Sequence, residues 1–477
     1  MKTLDQIAAE LQGYDPQALS APQVLDFLSR LVTPVQEKIE LPLFEALGRV
    51  LAADVVSPLD VPPHDNSAMD GYAFAGDQLV ADAALALQVV GTALAGKAWQ
   101  GRVQIGQCVR ITTGAVMPEG LDTVVPQEFV AVQADSITIP AGLLKAGDNR
   151  RLRGEDLMRG QPALRLGDLL TPARLGLAAS LGLKTLTVWR PLRVAYFSTG
   201  DEILSLGEAP REGAVYDSNR YTIFGLLSRL GCQVIDLGVV RDEPALLEAA
   251  FTEAARQADA IITSGGVSVG EADHTKTMMK QLGDVAFWRI AMRPGRPMAV
   301  GRMNPVSPAG DISSAGLSCV ASAGQGGAAS SEKVSPASID NPTAAASTEQ
   351  TSAANPDTPQ GALLFGLPGN PVAVMVTFLA FVRPALLQMM GARAEPQPLL
   401  KARSSEVIRK KPGRTEYQRG RVFTAPDGSL QVKTTGSQGS GVLRSMAEAN
   451  GLIVLHHLQG NVAVGDEVDV LMFDGAI

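Results

Sequence analysis

The stretch IITSGGVSVGEADHTK, residues 261–276, decides the fold. It begins as a short apolar, β-branched run, collapses into small residues around the adjacent Gly265 and Gly266, and then delivers Glu271 and Asp273 ahead of a helical segment. Strand, glycine turn and helix in succession is the unit from which parallel α/β sheets are built. RVAYFSTGDE, CQVIDLGVVRDEP and ALLFGLPGNP repeat it. In such a sheet the loops that follow the strands gather on one edge, where ligands bind, so these turns are expected to converge on one site.

Outward from this core the chain changes character several times. The N-terminal PQVLDFLSRLV has apolar residues at helical spacing after a proline suited to a first turn. LALQVVGTAL, QCVRITTG, DTVVPQEFVAV and SITIP are short strand-like runs parted by Gly, Pro and Asp. The segment 304–360 is rich in Ala, Ser, Gly and Pro, has no aromatic residue, and reads as a disordered insertion. The tail alternates again in EVIRK, YQRGRVF, LQVKTT, LIVLHH and EVDVLMF. The expected architecture is therefore multidomain α/β. A parallel-sheet α/β cofactor-binding domain (1–27 and 191–396) carries helices on both faces; a helical, elongated linking domain (28–53 and 154–190) leads to a β-rich insertion domain (54–153), and a β-barrel-like domain (397–477) ends the chain.

Bulk properties exclude several classes. With 477 residues the chain exceeds a single core. Lys plus Arg number 41 against 49 Asp plus Glu, a net charge of -8 that argues against general nucleic-acid binding. MKTLDQIAAE has early acids and no long apolar core, so neither a signal peptide nor a membrane anchor is expected, and a cytoplasmic protein is. Cys108, Cys232 and Cys319 share no metal or disulfide spacing and read as incidental or buried thiols. His456 and His457, in an apolar β run, read as structural.

The chemistry lies in the converging loops. Ser264, Gly265, Gly266 and Ser268 would offer N–H groups and hydroxyls to an anion such as phosphate. Glu202, Asp242 and Asp273 end successive turns on the same edge. Any one such acid could merely cap a helix. Together beside an anion site they call for a divalent cation, and Mg²⁺ binds through one or two carboxylates plus phosphate oxygens. In WRIAMRPGRP, Arg289, Arg293 and Arg296 surround a proline-glycine turn and can grip oxyanions. No nucleophile elbow, Walker lysine motif or HExxH pair is present.

PPHDNSAMDGYAF, RITTGAVMPEGLDTVV, RRLRGEDL, FSTGDEIL, YDSNR, GVVRDEP, ITSGGVSVGEADHTK, AMRPGRP, GLPGNPVA, PGRTEYQRG and TTGSQGSG together resemble the molybdopterin molybdenumtransferases, or molybdenum insertases, in the family's order and across nearly the whole chain. The resemblance implies a Mg²⁺-dependent enzyme that takes molybdate and adenylylated molybdopterin, releases AMP and leaves molybdenum on the dithiolene. It further implies a homodimer with sites at the subunit interface, and as partners the molybdopterin adenylyltransferase and the maturation proteins of acceptor molybdoenzymes, with no nucleic acid and no membrane. The positions it implies as catalytic are Asp65, Thr113, Asp156, Glu202, Asp242 and Asp273, the last three as metal ligands; as substrate-binding it adds Pro368, Gly369, Pro371, Arg419 and Ser440. Arg289 and Arg293 stand where the family can have lysines, which keeps the charge but changes a mobile ammonium to a planar fork. A molybdopterin adenylyltransferase is the rival reading, against which the β-rich second domain and the tail argue. A scaffold of the kind gephyrin builds on a similar region is the other.

Overall fold

The structure is a computed structural model and describes residues 2–267, 274–304, 361–393 and 395–473. Ser268, Glu271, Asp273, Cys319 and nearly all of the 304–360 insertion lie outside the described residues.

The α/β domain is organised around the strand Ala260–Ser264, every residue of which is buried. Strands Arg193–Thr199 and Ala362–Leu367 flank it in parallel, and Gln233–Val240 extends the sheet beyond Arg193–Thr199. Because side chains alternate across a strand, the sheet feeds two cores. Tyr196, Ile262 and Phe365 face one, with the N-terminal helices and the C-terminal helical run; Phe197, Ile261 and Leu364 face the other, with Leu247 and Phe251 of helix Pro244–Gln257. Among the described residues of this sheet the parallel arrangement holds for these four strands. Pro297–Met303 runs against Ala362–Leu367, and Gly283–Arg289 runs against Pro297–Met303 at the edge.

Helix Ala21–Leu31 buries Val24, Phe27, Leu28 and Leu31, the i, i+3, i+4, i+7 stripe of an amphipathic helix. Phe27 meets Trp288 edge-on with ring centroids 4.9 Å apart. The buried face of this helix, Ala21, Val24, Phe27, Leu28 and Leu31, belongs to the core of the α/β domain. The run Pro371–Met389 is long and apolar enough to cross a membrane by composition, but 67% of it is buried in the domain, which accounts for its apolarity. A π-helical turn, Phe378–Val382, sits just ahead of Pro384. A proline has no N–H for the carbonyl four residues back, and a wider turn accommodates that missing bond.

The linking segments contain one helix, Pro172–Ser180, and more strand than their helix-and-turn character suggests. Lys38–Pro42 pairs with Thr185–Trp189, and Val55–Val56 with Pro162–Leu164. The second domain is a six-stranded sheet around Gly71–Phe74, Leu85–Ala93 and Gln107–Ile111. The C-terminal sheet closes on itself, since Thr415–Thr424 pairs with both Leu430–Thr434 and Gly451–Leu455. Two tail expectations change. EVIRK is not a strand: Ile408 makes a single bridge to Val462, Glu406 spends its carboxylate on the Thr434 N–H at 2.7 Å, and the strand is Leu400–Ser404. His456 lies past the end of strand Gly451–Leu455, exposed, with Nε2 2.6 Å from Asp469 Oδ2.

Candidate active site

A cavity of about 1000 Å³ opens between the strand-end loops of the α/β domain and the C-terminal barrel. Glu202, Asp242, Gly265, Gly266, Arg293, Arg296, Pro368, Gly369 and Ser440 line it, so four strand-end turns and one barrel loop do converge there.

The glycine turn is shaped by contact. Gly265 and Gly266 have φ of +95° and +64°. A Cβ at 265 would come 2.4 Å from the Thr199 carbonyl oxygen, and one at 266 would come 2.5 Å from Thr275 Cβ. Only glycine fits either place. The Gly265 N–H is not available to a ligand, because it donates to the Leu367 carbonyl at 3.1 Å and ties the turn to the LPGNP loop. The Ser264 hydroxyl is likewise committed: it is buried, 2.7 Å from Tyr196 Oη and 3.1 Å from Ser198 Oγ. Burial pushes the Tyr196 phenol well above its ordinary range, so this hydroxyl trio stays neutral. It supports the turn from beneath.

Of the acids, Glu202 is exposed and Asp242 half-buried. The Asp242 N–H points at Asp201 Oδ1 from 3.4 Å, and Asp242 Oδ1 accepts from Thr275 Oγ1 at 3.1 Å. Among the described residues no three His, Cys, Asp or Glu side chains are grouped to hold a metal by themselves. Two all-oxygen ligands facing an open cavity nevertheless fit Mg²⁺, which keeps waters and substrate oxygens in its octahedron.

The same cavity is also lined by basic residues. Arg293 and Arg296 are joined by Arg414, a position of PGRTEYQRG outside the expected site residues, among which Arg419 stands. Arg414 Nε donates to Glu416 at 2.8 Å. Arg414 stands in the bend just ahead of strand Thr415–Thr424, two residues before Glu416, and that Arg-x-Glu spacing is the signal the sequence offers. Arg419 has a different position: it is 1% exposed and does not line the cavity. It donates to the carbonyls of Ser437, Gln438 and Gly439 and to Ser445 Oγ, fastening the loop that presents Ser440. Burial, with the charge of Arg293 adding, lowers it to about 10. Arg289 lies outside the cavity; its backbone bonds to Pro16 and Leu19. Pro371 opens the helix Pro371–Thr377, where a missing N–H costs nothing, and so shapes the turn rather than the cavity wall. Asn219 Nδ2 donates to the Gly369 carbonyl at 2.8 Å and holds the LPGNP loop.

Asp65, Thr113 and Asp156 are not brought to this cavity. All three stand on the second domain and its border. Asp65 accepts from the Arg153 N–H at 2.8 Å and lines a separate cavity of about 470 Å³ with Arg150. Thr113 donates twice to Asp70, and the Asp156 N–H bonds to the Val61 carbonyl.

Three family models match the chain in order: the MoeA N-terminal region (domain I and II) at residues 19–182, a probable molybdopterin binding domain at 195–388, and the MoeA C-terminal region (domain IV) at 401–473. The molybdopterin molybdenumtransferase of Haemophilus influenzae is 36% identical over 448 residues, 94% of this chain and 96% of its own. The chain belongs to the molybdopterin molybdenumtransferase family. The family member from Nostoc is 33% identical over 435 residues, covering 90% of this chain and 87% of its own. A molybdopterin biosynthesis MoeA protein from Pyrococcus horikoshii has the same fold, with a TM-score of 0.70 over 96% of this chain and all of its own at 23% identity. In family terms the cavity falls between the molybdopterin binding domain and the C-terminal region, while Asp65, Thr113 and Asp156 fall in the N-terminal region.

Proposed function

We propose that this protein inserts molybdate into adenylylated molybdopterin, with Mg²⁺-dependent release of AMP. The observation that carries this reading is that one cavity is lined both by carboxylates, Glu202 and Asp242, with the glycine turn, and by arginines, Arg293, Arg296 and Arg414. Two anionic substrates must react there. The arginines offer the planar fork that oxyanions favour, and the Ser440 loop lines the same cavity. Glu202 and Asp242 would hold Mg²⁺, which when bound offsets charge developing on the phosphoanhydride. The bend at Gly265 and Gly266 lets backbone approach the nucleotide closely.

A homodimer with shared sites accounts for the remaining residues. Asp65, Thr113 and Asp156 stand away from the cavity of their own chain, so in this reading they serve the partner's. Wholly exposed Phe44 and half-exposed Tyr221 and Phe224 are apolar surface of the kind a second subunit covers. We further assign the protein to the cytoplasm, with the molybdopterin adenylyltransferase and the maturation proteins of acceptor molybdoenzymes as its partners. The deciding assay supplies adenylylated molybdopterin and measures AMP release with and without molybdate and Mg²⁺. Release should need both. Adenylation of free molybdopterin by the protein, with no molybdate-dependent release, would favour the adenylyltransferase reading instead.

A further inference from the structure

Thr275 is the second residue of helix His274–Leu282 and is wholly buried. Its hydroxyl lies 3.1 Å from Asp242 Oδ1 and 3.4 Å from Thr199 Oγ1, and its Cβ fills the space a side chain at Gly266 would need. One side chain thus contacts three of the cavity-lining residues at once: Thr199, Asp242 and Gly266. A threonine hydroxyl has a single proton. Asp242, acceptor-only when ionised, takes it, and Thr199 then donates to Thr275.

That bond has a consequence for the carboxylate. It takes one lone pair of Oδ1 and fixes the carboxylate plane, which leaves Oδ2, with no hydrogen bond of its own among the described residues, for a ligand in the cavity that Asp242 lines. Ca²⁺ accepts six to eight oxygens and often takes a carboxylate through both, whereas Mg²⁺ requires a strict octahedron of single oxygens. We propose that Thr275 is a positioning residue that holds Asp242 in a one-oxygen mode and thereby sets a preference for Mg²⁺ over Ca²⁺. This rests on the assignment of Glu202 and Asp242 as the metal end of the cavity.

Valine tests the proposal, since it replaces the hydroxyl by a methyl group and keeps the volume packed against Gly266. The full-length protein, saturated with AMP, is titrated calorimetrically with Mg²⁺ and separately with Ca²⁺. Thr275→Val should lose at least about tenfold in Mg²⁺ affinity, the lower end of what outer partners of metal ligands contribute, while Ca²⁺ affinity moves by less than about threefold. Thr275→Ser, which restores the donor, should recover the original ratio. If the valine variant does not fold, Thr275→Ala, which also removes the hydroxyl and adds no atoms against Gly266, is read in the same way. An unchanged Mg²⁺/Ca²⁺ ratio, or equal loss of both cations, overturns the proposal. Two failures are distinguishable: if Asp242→Asn abolishes binding while Thr275→Val leaves the ratio untouched, the metal end stands and Thr275 is only structural. If the unaltered protein with AMP binds neither cation, the metal assignment falls and this inference with it.

Discussion

Glu416 orients Arg414. The carboxylate is 3% exposed and accepts from Arg414 Nε at 2.8 Å, which fixes a long, rotamer-rich side chain against the cavity wall. Arg414→Ala should weaken molybdate binding by roughly 10- to 100-fold, the equivalent of about 1.5–3 kcal/mol for a charge-assisted hydrogen bond. Glu416→Gln keeps an acceptor oxygen and should cost less. Calorimetry with molybdate reads both, and full affinity in the alanine variant would remove Arg414 from the site.

At the acidic end, Glu202→Gln preserves shape and removes charge. AMP release should fall by at least about tenfold, or roughly 1.4 kcal/mol of barrier, and the deficit should grow as Mg²⁺ becomes limiting. Normal turnover at low Mg²⁺ would exclude Glu202 from the metal end.

Shared sites can be tested by mixing. An Asp65→Ala subunit paired with a Glu202→Ala subunit should regenerate one intact site, whereas each variant homodimer has none. No recovered activity, once subunit exchange is verified by mass spectrometry, would mean that each site is built within one chain.

The pair Thr113 and Asp70 predicts a pH effect. The Thr113 N–H and hydroxyl both donate to Asp70, at 2.7 and 2.9 Å, and hold its carboxyl below the ordinary 3.8. A depressed native value stabilises the fold above the unfolded pKa, and that contribution is lost as pH falls through the lower native one. Thr113→Val should raise the native Asp70 pKa towards 3.8, leaving acid unfolding with a smaller contribution from this group. Carboxyl-carbon NMR titration measures it; an unmoved value would mean the hydroxyl bond is not made in solution.

Strand direction predicts the tolerance of the insertion. Met303 pairs with Ala362 and Ala299 with Gly366, so the chain leaves the α/β sheet and returns to it at the edge opposite the cavity. Replacing residues 305–360 by a short Gly-containing turn should leave activity within about threefold, because the entropy of loop closure changes slowly with length. A large loss from a protein that still dimerises would show that the segment reaches the site.

Much of this was legible in the sequence because it depends on local rules. The strand-turn-helix repeats around Ala260–Ser264 and the β-barrel-like tail follow from periodicity and from where glycine and proline interrupt it. What stayed hidden depends on tertiary partners. Nothing local tells that the Gly265 N–H and the Ser264 hydroxyl are consumed by Leu367 and Tyr196, both distant in sequence. Motif membership could not separate Arg414, which faces the cavity, from Arg419, five positions on, which braces the loop behind it. Glu406 gave EVIRK the look of a strand, yet its carboxylate serves Thr434. The reading of Asp273 and Ser268 concerns positions outside the described residues.

The parallel pairing of Met292–Arg293 with Thr415–Glu416 joins the α/β domain to the barrel beside the cavity, from parts of the chain made at different times. Gly266 leaves the ribosome roughly 170 residues before Ser440, a delay on the order of 10 to 35 seconds at ordinary elongation rates. During that interval the nascent chain has its acidic end and its glycine turn but lacks Arg414 and the Ser440 loop. A chain stalled before the barrel is complete therefore has Arg293 and Arg296 but neither Arg414 nor the Ser440 loop, so its pocket is only half built.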